Sequence, residues 1–241
     1  MGEPRIVTNS ARLGHRMVYY FYFAPNFKDL FVVYNGYMTY IVNGKPVGND
    51  PASIERSDSY MEFFNKVGNS VDNIKVINNF LTKEEIEYVL SGIETRPFVR
   101  FAAQKDHEGN ALNYMQRYNG LEDKYNLVSR VKEEIYRIYG LEKEKIKEKE
   151  TYLSVVEWTE GSYLTLHVDD LGYVTDNHLP VHIYLNDDYE GGELNFETFG
   201  LSIRPKKGDM IVFPGNMHYP HELTKILSGT RYTLAVWFTI L

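Results

Sequence analysis

Short apolar segments separated by turn residues fill the sequence from residue 151 to residue 240. Their lengths and the turn residues between them are typical of β-strands. Eight strands are predicted, over residues 151–158, 162–167, 180–186, 193–197, 200–204, 209–213, 217–222 and 230–240. So many short strands predict a β-sandwich or jelly roll, and a chain of 241 residues with 43% hydrophobic content can bury a full core.

Two helices are predicted before these strands. An apolar strand over residues 74–80 is followed by Thr82 and Glu85, which have the spacing of a capping box and predict a helix through about Ile93. A second helix is expected over residues 122–139, where apolar residues recur at helical spacing and a glycine follows. The expected fold class is therefore mainly β with supporting helices (α+β).

The N-terminal part of the chain has a different character. Residues 17–48 are dense in aromatic and β-branched residues, and Asn35-Gly36 and Asn43-Gly44 stand between apolar runs as two-residue turns, which predicts a small β-meander. The segment that follows contains Pro, Ser and Asn and is typical of a linker. We predict an extension, residues 1–68, and a main domain, residues 69–241. The extension could be a separate subdomain, an oligomer contact or extra strands on the main sheet, and the sequence leaves these alternatives open.

Composition excludes several classes of function. The sequence has no cysteine, so a metal site would rest on His, Asp and Glu. The formal charge of -7 argues against a nucleic-acid phosphate binder. The sequence contains neither an apolar run of about 18 residues nor the apolar core of a secretory signal, so we expect no membrane segment and a cytoplasmic protein.

His167 and Asp169 are the first candidate metal ligands, because side chains two residues apart on a strand point to the same face. Such a pair is weak evidence alone, since it also fits a strand-end histidine beside a solvated aspartate. Two histidines and one carboxylate would suit iron(II) and leave coordination positions free. His218 and His221 are candidates for the third ligand. They face opposite sides of a regular strand, so the pattern leaves the choice open.

Several further motifs occur in a fixed order along the same region. They are Trp158-Thr159-Glu160-Gly161, Ile183-Tyr184-Leu185-Asn186, Gly191-Gly192-Glu193-Leu194, Pro205-Lys206-Lys207-Gly208-Asp209, Ile211-Val212-Phe213-Pro214, His221-Glu222-Leu223-Thr224 and Ser228-Gly229-Thr230-Arg231-Tyr232. In this order they resemble the catalytic domain of prolyl 4-hydroxylase-like iron(II)- and 2-oxoglutarate-dependent oxygenases. The resemblance implies a double-stranded β-helix core of the jelly-roll or cupin type.

The resemblance also implies the main site residues. In the family, a basic residue follows the distal histidine by about ten positions, which selects His221 and Arg231. His167, Asp169 and His221 would then hold iron(II). Arg231 would bind the far carboxylate of 2-oxoglutarate, for which a planar guanidinium is well suited.

Other contacts with the cosubstrate are implied in the same way. Tyr184 stands where relatives place a hydrogen-bonding tyrosine. Trp158 departs from the pattern, because many relatives have a tyrosine there, and an indole can donate a hydrogen bond but cannot accept one. Thr233 and Thr165 are further candidate contacts.

The activity implied by the resemblance is hydroxylation coupled to the conversion of 2-oxoglutarate and O2 into succinate and CO2, with ascorbate allowed as an accessory reductant. Asp169 favours hydroxylation, since halogenating relatives have a small residue there. The expected substrate is a peptidyl proline, hydroxylated at C4. A free amino acid or other small metabolite, and a non-catalytic β-helix binding module, are the alternatives. A homo-oligomer through the aromatic extension is also left open.

Substrate is expected to enter over residues 171–179 and a mobile loop at residues 104–120, which is polar and contains glycine, as lids often do. The more ordinary interpretation of this loop is a set of solvated residues. His178 and His182 are interpreted as supporting or structural residues near the metal. The candidate substrate contacts are Arg100, Tyr114 and Arg117.

Overall fold

The computed structural model of the protein describes residues 58–105, 111–148, 153–169, 179–216 and 218–241, together with the backbone of five short N-terminal strands. These strands are β1 (Ile6–Val7), β2 (Met17–Tyr22), β3 (Asp29–Tyr34), β4 (Tyr37–Val42) and β5 (Lys45–Val47). They form one antiparallel sheet in chain order. The two predicted Asn-Gly turns lie outside the described residues, between strands whose last pairs are Tyr34 with Tyr37 and Val42 with Lys45.

The rest of the described chain contains three α-helices and fourteen strands. The helices are α1 (Asp58–Val67), α2 (Lys83–Leu90) and α3 (Leu127–Tyr139). None of these described helices has the length and apolar character needed to cross a membrane. The strands are β6 (Lys75–Ile77), β7 (Phe98–Lys105), β8 (Ala111–Leu121), β9 (Ile146–Glu148), β10 (Leu153–Thr159), β11 (Leu164–His167), β12 (Leu179–Tyr184), β13 (Glu190–Gly191), β14 (Leu194–Phe196), β15 (Leu201–Ile203), β16 (Met210–Val212), β17 (His221–Leu223), β18 (Ile226–Ser228) and β19 (Thr230–Ile240).

Two antiparallel sheets form the main domain. The larger sheet has the order β6-β16-β12-β19-β10-β8-β7, with β9 also paired to β19, and the smaller sheet has the order β11-β17-β14-β15. Strands β13 and β18 form a separate pair. The domain is thus mainly antiparallel β with few helices, as the sequence predicted.

Strand β10 shows how the larger sheet divides the interior. Leu153 and Val155 belong to the main hydrophobic core, which also contains the buried faces of the three helices. Val156 and Trp158 belong to a second apolar cluster. Because alternate residues of a strand face opposite sides, the helices cover one face of the sheet and leave the other face to line a cavity.

Helix α1 belongs to the main core although it precedes the predicted boundary at residue 69. Its residues Phe63, Phe64 and Val67 are buried in the same cluster as the helices α2 and α3. The division of the chain at residues 68 and 69 stays a prediction.

The predicted start of α3 was wrong by five residues, because the helix begins at Leu127 and not at residue 122. The carboxylate of Asp123 accepts hydrogen bonds from the backbone N–H groups of Leu127 and Val128, at 2.5 and 3.1 Å. These bonds satisfy N–H groups that have no partner within the helix, so the segment before Leu127 remains non-helical. Gly140 ends the helix in a left-handed conformation, with φ 61°, as predicted.

The predicted mobile loop at residues 104–120 is wrong over its described part. Strands β7 and β8 pair there as an antiparallel hairpin, with Phe101 opposite Met115 and Phe98 opposite Tyr118. Residues 106–110 lie outside the described part of the chain. The polar residues of this segment resemble a loop in sequence, but Tyr118 is buried against Val155 of β10, and this pairing stabilises a strand.

The capping box predicted for α2 is confirmed, since Thr82 Oγ1 accepts from the backbone N–H of Glu85 and Glu85 accepts from the N–H of Thr82. We expect Thr82→Ala to lower the free energy of unfolding by about 1 kcal/mol, because one N–H group loses its acceptor. Denaturant unfolding measures the change. Thr198→Ala, at an exposed threonine, is the matched control and should change the free energy by less than about 0.5 kcal/mol. Equal effects of the two substitutions would contradict a stabilising cap.

Candidate active site

His167, Asp169 and His221 lie together between the two sheets, and their ligand atoms are all within 4.8 Å of one another. Asp169 Oδ1 is 3.5 Å from His167 Nε2, and Asp169 Oδ2 is 3.6 Å from His221 Nε2. The pairing of β11 with β17 places His167 directly opposite His221, with ring centroids 4.3 Å apart. The two strands present the two imidazoles, and the segment just after β11 presents the carboxylate, to a common point where a metal ion could bind.

Both histidines are held in the tautomer that a metal requires. His167 Nδ1 is 2.8 Å from the carbonyl oxygen of Thr165, and His221 Nδ1 is 3.1 Å from that of Tyr219. A carbonyl oxygen only accepts, so each Nδ1 carries the proton and the neutral ring keeps its lone pair on Nε2. Metal-binding histidines are typically oriented in this way.

The pKa shifts of Asp169 and His221 favour a bound cation, whereas the shift of His167 opposes one. Burial raises the pKa of Asp169, but the nearby His221 and His167 rings lower it more, so the carboxylate is ionised. Burial and the neighbouring His167 lower the pKa of His221 to about 3, which keeps its ring neutral. Burial lowers the pKa of His167, whereas its hydrogen bond with Asp169 raises it and prevails. A metal ion that binds His167 would have to displace the second proton of its ring.

The alternative ligand His218 has another place in the fold. Its ring packs on Phe64 of α1, with centroids 4.7 Å apart, and it is not part of the three-residue group. His218 lies in a turn, whereas His221 is the first residue of β17, so the two rings have different environments.

Arg231 lies in the same cavity and is only 4% exposed. Its Nη2 donates a hydrogen bond of 3.1 Å to the Tyr184 hydroxyl, and its Nε has no hydrogen-bond partner. Among the described residues, no carboxylate forms an ion pair with Arg231. Because a buried charge is costly unless it is paired, this guanidinium is suited to an anionic group of a ligand.

The cavity has a volume of about 170 Å³ and contains both the candidate metal site and Arg231. It is lined by Met115, Arg117, Val156, Trp158, Leu164, His167, Asp169, His182, Leu194, His221, Leu223, Arg231, Thr233, Ala235 and Trp237. Both sheets contribute to this lining. A molecule with a metal-binding end and a distal carboxylate, such as 2-oxoglutarate, therefore finds both partners in one cavity, and the residues present fit iron(II) and this cosubstrate.

Residues 153–239 match the sequence model of the 2OG-Fe(II) oxygenase superfamily. Over 63 residues the chain is 41% identical to human prolyl 3-hydroxylase 2, a match that covers 24% of this chain and only 9% of that protein. The resemblance to oxygenases of the prolyl hydroxylase type is confirmed.

Solved structures with little sequence identity share the fold. A viral collagen prolyl hydroxylase of Paramecium bursaria chlorella virus-1, solved as a 2OG complex, is 18% identical, with a TM-score of 0.52 over 70% of this chain and 96% of the other. A Trichoplax adhaerens prolyl hydroxylase, solved with a peptide of the hypoxia inducible factor oxygen degradation domain, is 16% identical, with a TM-score of 0.52 over 70% of this chain and 84% of the other. The predicted double-stranded β-helix is thereby confirmed.

Within this oxygenase fold, the predicted cosubstrate contacts fall into two groups. Trp158 lies directly opposite Arg231 in the pairing of β10 with β19, and Thr233 lies opposite Tyr184 in the pairing of β12 with β19. Trp158 and Thr233 line the cavity, whereas Tyr184 is fully buried behind Arg231. Thr165 is exposed and does not line the cavity. Its backbone carbonyl, and not its side chain, contributes to the site by accepting the hydrogen bond from His167 Nδ1. The assignment of these residues to the cosubstrate stays a prediction.

The predicted substrate contacts are also divided. Arg117 lines the cavity, and its guanidinium lies 4.6 Å from the Trp237 ring centroid. Arg100 and Tyr114 do not line it, and instead stack on each other at 3.9 Å. His178 and most of the predicted entry segment lie outside the described residues.

The sequence predicted His182 as a supporting or structural histidine and did not predict that it lines the cavity. It lines the cavity directly, as do Met115 and Trp237, which were not singled out. The available signal was its place two residues before Tyr184 on the same strand, which puts both side chains on one face.

Proposed function

We propose that this protein is an iron(II)- and 2-oxoglutarate-dependent dioxygenase that hydroxylates prolyl residues of a polypeptide and releases succinate and CO2. The observation that carries the proposal is the single cavity in which the His167–Asp169–His221 group and the buried Arg231 lie together. The superfamily match over residues 153–239 supports it.

Each part of the cavity has a separate task in this proposal. Iron(II) and 2-oxoglutarate, when bound, supply the activation of O2 that oxidises a C–H bond. His167, Asp169 and His221 would hold the metal, and Arg231 would orient the cosubstrate through its distal carboxylate. The apolar walls, including Val156, Leu194, Leu223 and Trp237, exclude water from the reacting groups.

A polypeptide substrate is supported by the surface that continues from the cavity. Directly opposed residues, Arg231, Trp158, Met115 and Phe101, run from the cavity across β19, β10 and β8 to β7, the last strand of the larger sheet in the described part of the chain. Phe101 is 39% exposed. This line of paired residues begins at the buried Arg231 and Trp158 and ends at the exposed Phe101. A small cavity continued in this way suits a chain that inserts one residue and rests a neighbouring residue on the sheet.

The position of hydroxylation has two candidates. The sequence resemblance to prolyl 4-hydroxylase-like oxygenases supports attack at C4, which we propose. The 41% identity with human prolyl 3-hydroxylase 2 over 63 residues favours C3 as the second candidate.

The test measures succinate formed from 2-oxoglutarate by the purified protein with iron(II), with a proline-containing peptide and with the same peptide carrying alanine for proline. We expect only the proline peptide to stimulate turnover, with one hydroxyproline formed per succinate. Hydrolysis of the product and separation of 3- and 4-hydroxyproline identify the carbon attacked. Stimulation by free proline or another small metabolite would replace the polypeptide by a small substrate. No turnover, together with no metal-dependent binding of 2-oxoglutarate, would contradict an oxygenase and leave a binding module.

Three expectations about the surroundings of the enzyme stay predictions. The sequence allows ascorbate as an accessory reductant and leaves a homo-oligomer through the aromatic extension open. It predicts a cytoplasmic location. The net charge of -7 supports our proposal that the substrate is not a nucleic acid.

A further inference from the structure

His182 is the polar residue of an otherwise apolar strand segment, Leu179-Pro180-Val181-His182-Ile183. Its neighbours Val181 and Ile183 face the main core, so the side chain of His182 faces the cavity. On that face it lies opposite Ala235 of β19, which also lines the cavity. Both the metal group and Arg231 line the same small space.

The ring of His182 is packed but has no hydrogen bond to any described residue. It stacks on Phe213, with centroids 6.1 Å apart and an interplanar angle of 25°. Phe213 in turn contacts the ring of His221 edge-on, at 4.7 Å. His167 and His221 each use Nδ1 to bond a carbonyl oxygen, whereas both ring nitrogens of His182 are left for a ligand. The side chain of His182 is half-buried and lines the cavity, so a ligand in the cavity can reach its ring nitrogens.

His182 shares the cavity lining with the negative Asp169 and the positive Arg231. Burial lowers its pKa to about 4, with Asp169 acting to raise the pKa and Arg231 acting to lower it. An imidazole has at least one N–H donor whether it is neutral or protonated. The oxygens of ionised 2-oxoglutarate only accept hydrogen bonds, so the N–H group of His182 is the complementary partner.

We propose that His182 is a positioning residue for the cosubstrate, and that its imidazole N–H donates a hydrogen bond to an oxygen of 2-oxoglutarate between the metal site and Arg231. This inference rests on the proposed function. His182 would then be a third point of attachment for 2-oxoglutarate, beside the metal group and Arg231. Two points of attachment leave the molecule free to rotate about the line between them, and the third prevents this rotation.

The experiment compares wild type, His182→Leu and His182→Gln by calorimetric titration of 2-oxoglutarate into the manganese(II)-loaded protein, which measures binding without turnover. We expect His182→Leu to weaken binding about tenfold or more, since it removes a hydrogen bond to a charged group. His182→Gln keeps an N–H donor and should stay within about threefold of wild type. A separate titration with manganese(II) alone should give the same affinity for all three proteins.

His218→Leu is the matched control, because it makes the same change at another half-buried histidine, which packs on Phe64 outside the cavity lining. It should leave the affinity for 2-oxoglutarate unchanged. In the iron-loaded enzyme, His182→Leu should raise KM for 2-oxoglutarate about tenfold and keep kcat within a few-fold at saturation.

The outcomes separate this inference from the proposed function. Wild-type affinity in His182→Leu would overturn the role of His182 and leave the oxygenase intact. Equal losses in His182→Leu and His182→Gln, or a loss of manganese(II) binding in both, would also overturn it and show a structural residue. A wild-type protein that binds manganese(II) but not 2-oxoglutarate would overturn the proposed function itself.

Discussion

Asp169→Ala is expected to lower iron-dependent succinate formation by at least about 100-fold, since even the outer partners of metal ligands typically contribute 10-fold to 100-fold. Asp169 supplies the carboxylate of the three-residue group, and its two oxygens lie 3.5 and 3.6 Å from the Nε2 atoms of His167 and His221. Without it, two neutral imidazoles remain, and a hard iron(II) ion loses its anionic ligand. Succinate release and the iron content of the purified variant measure the effect.

Asp72→Ala is the matched control, because Asp72 is an exposed aspartate outside the metal group. Its activity and iron content should equal those of the wild type. Thermal unfolding with and without manganese(II) gives a second measurement, since a metal that binds only the folded state raises Tm. An Asp169→Ala protein that keeps both the metal-dependent rise in Tm and its turnover would contradict the assignment of Asp169 as a ligand.

The candidate metal group could be predicted because its geometry is largely local. The strand period predicted that His167 and Asp169 share a face. In the structure β11 ends at His167, and Asp169, two residues further along, still lies beside both histidines. His221 could not be chosen from the pattern, because His218 offers the same chemistry three residues earlier. The resemblance made the choice through the interval to Arg231, and the structure places His218 on Phe64 instead.

The rest of the cavity depends on which strands pair, and this is not visible in local sequence. The hairpin of β7 and β8 was predicted as a loop because its own residues are mixed in polarity. Its pairing with β10, which sets Met115 opposite Trp158 and Arg117 opposite Val156, makes it a wall of the cavity. His182 enters the cavity through a similar long-range pairing, with Ala235 of β19. Such registers are stabilised by burial across the sheet and not by the propensity of either strand.

Arg231→Leu is expected to weaken the binding of 2-oxoglutarate by about 100-fold or more, since loss of one partner of a buried, hydrogen-bonded charge pair typically costs 2 to 5 kcal/mol. The guanidinium is 4% exposed, and no described carboxylate pairs with it, so a ligand carboxylate is its expected partner. Metal affinity should be unchanged, because His167, Asp169 and His221 are intact. Calorimetric titration of 2-oxoglutarate into the manganese(II)-loaded variant measures the loss.

A second cosubstrate makes the assignment of Arg231 specific. A 2-oxo acid without the distal carboxylate, 2-oxobutyrate, should bind wild type and Arg231→Leu with nearly equal affinity, so that the preference for 2-oxoglutarate disappears in the variant. Arg231→Lys keeps the charge but not the planar fork and should fall between the two. Arg137→Leu, at an arginine that is 67% exposed and pairs with Glu134, is the control and should keep the full preference.

Since the ligand-free protein buries Arg231 without a carboxylate partner among the described residues, Arg231→Leu should not lower Tm in the absence of 2-oxoglutarate. A large fall in Tm, with the preference for 2-oxoglutarate retained, would show that Arg231 stabilises the fold and does not select the cosubstrate.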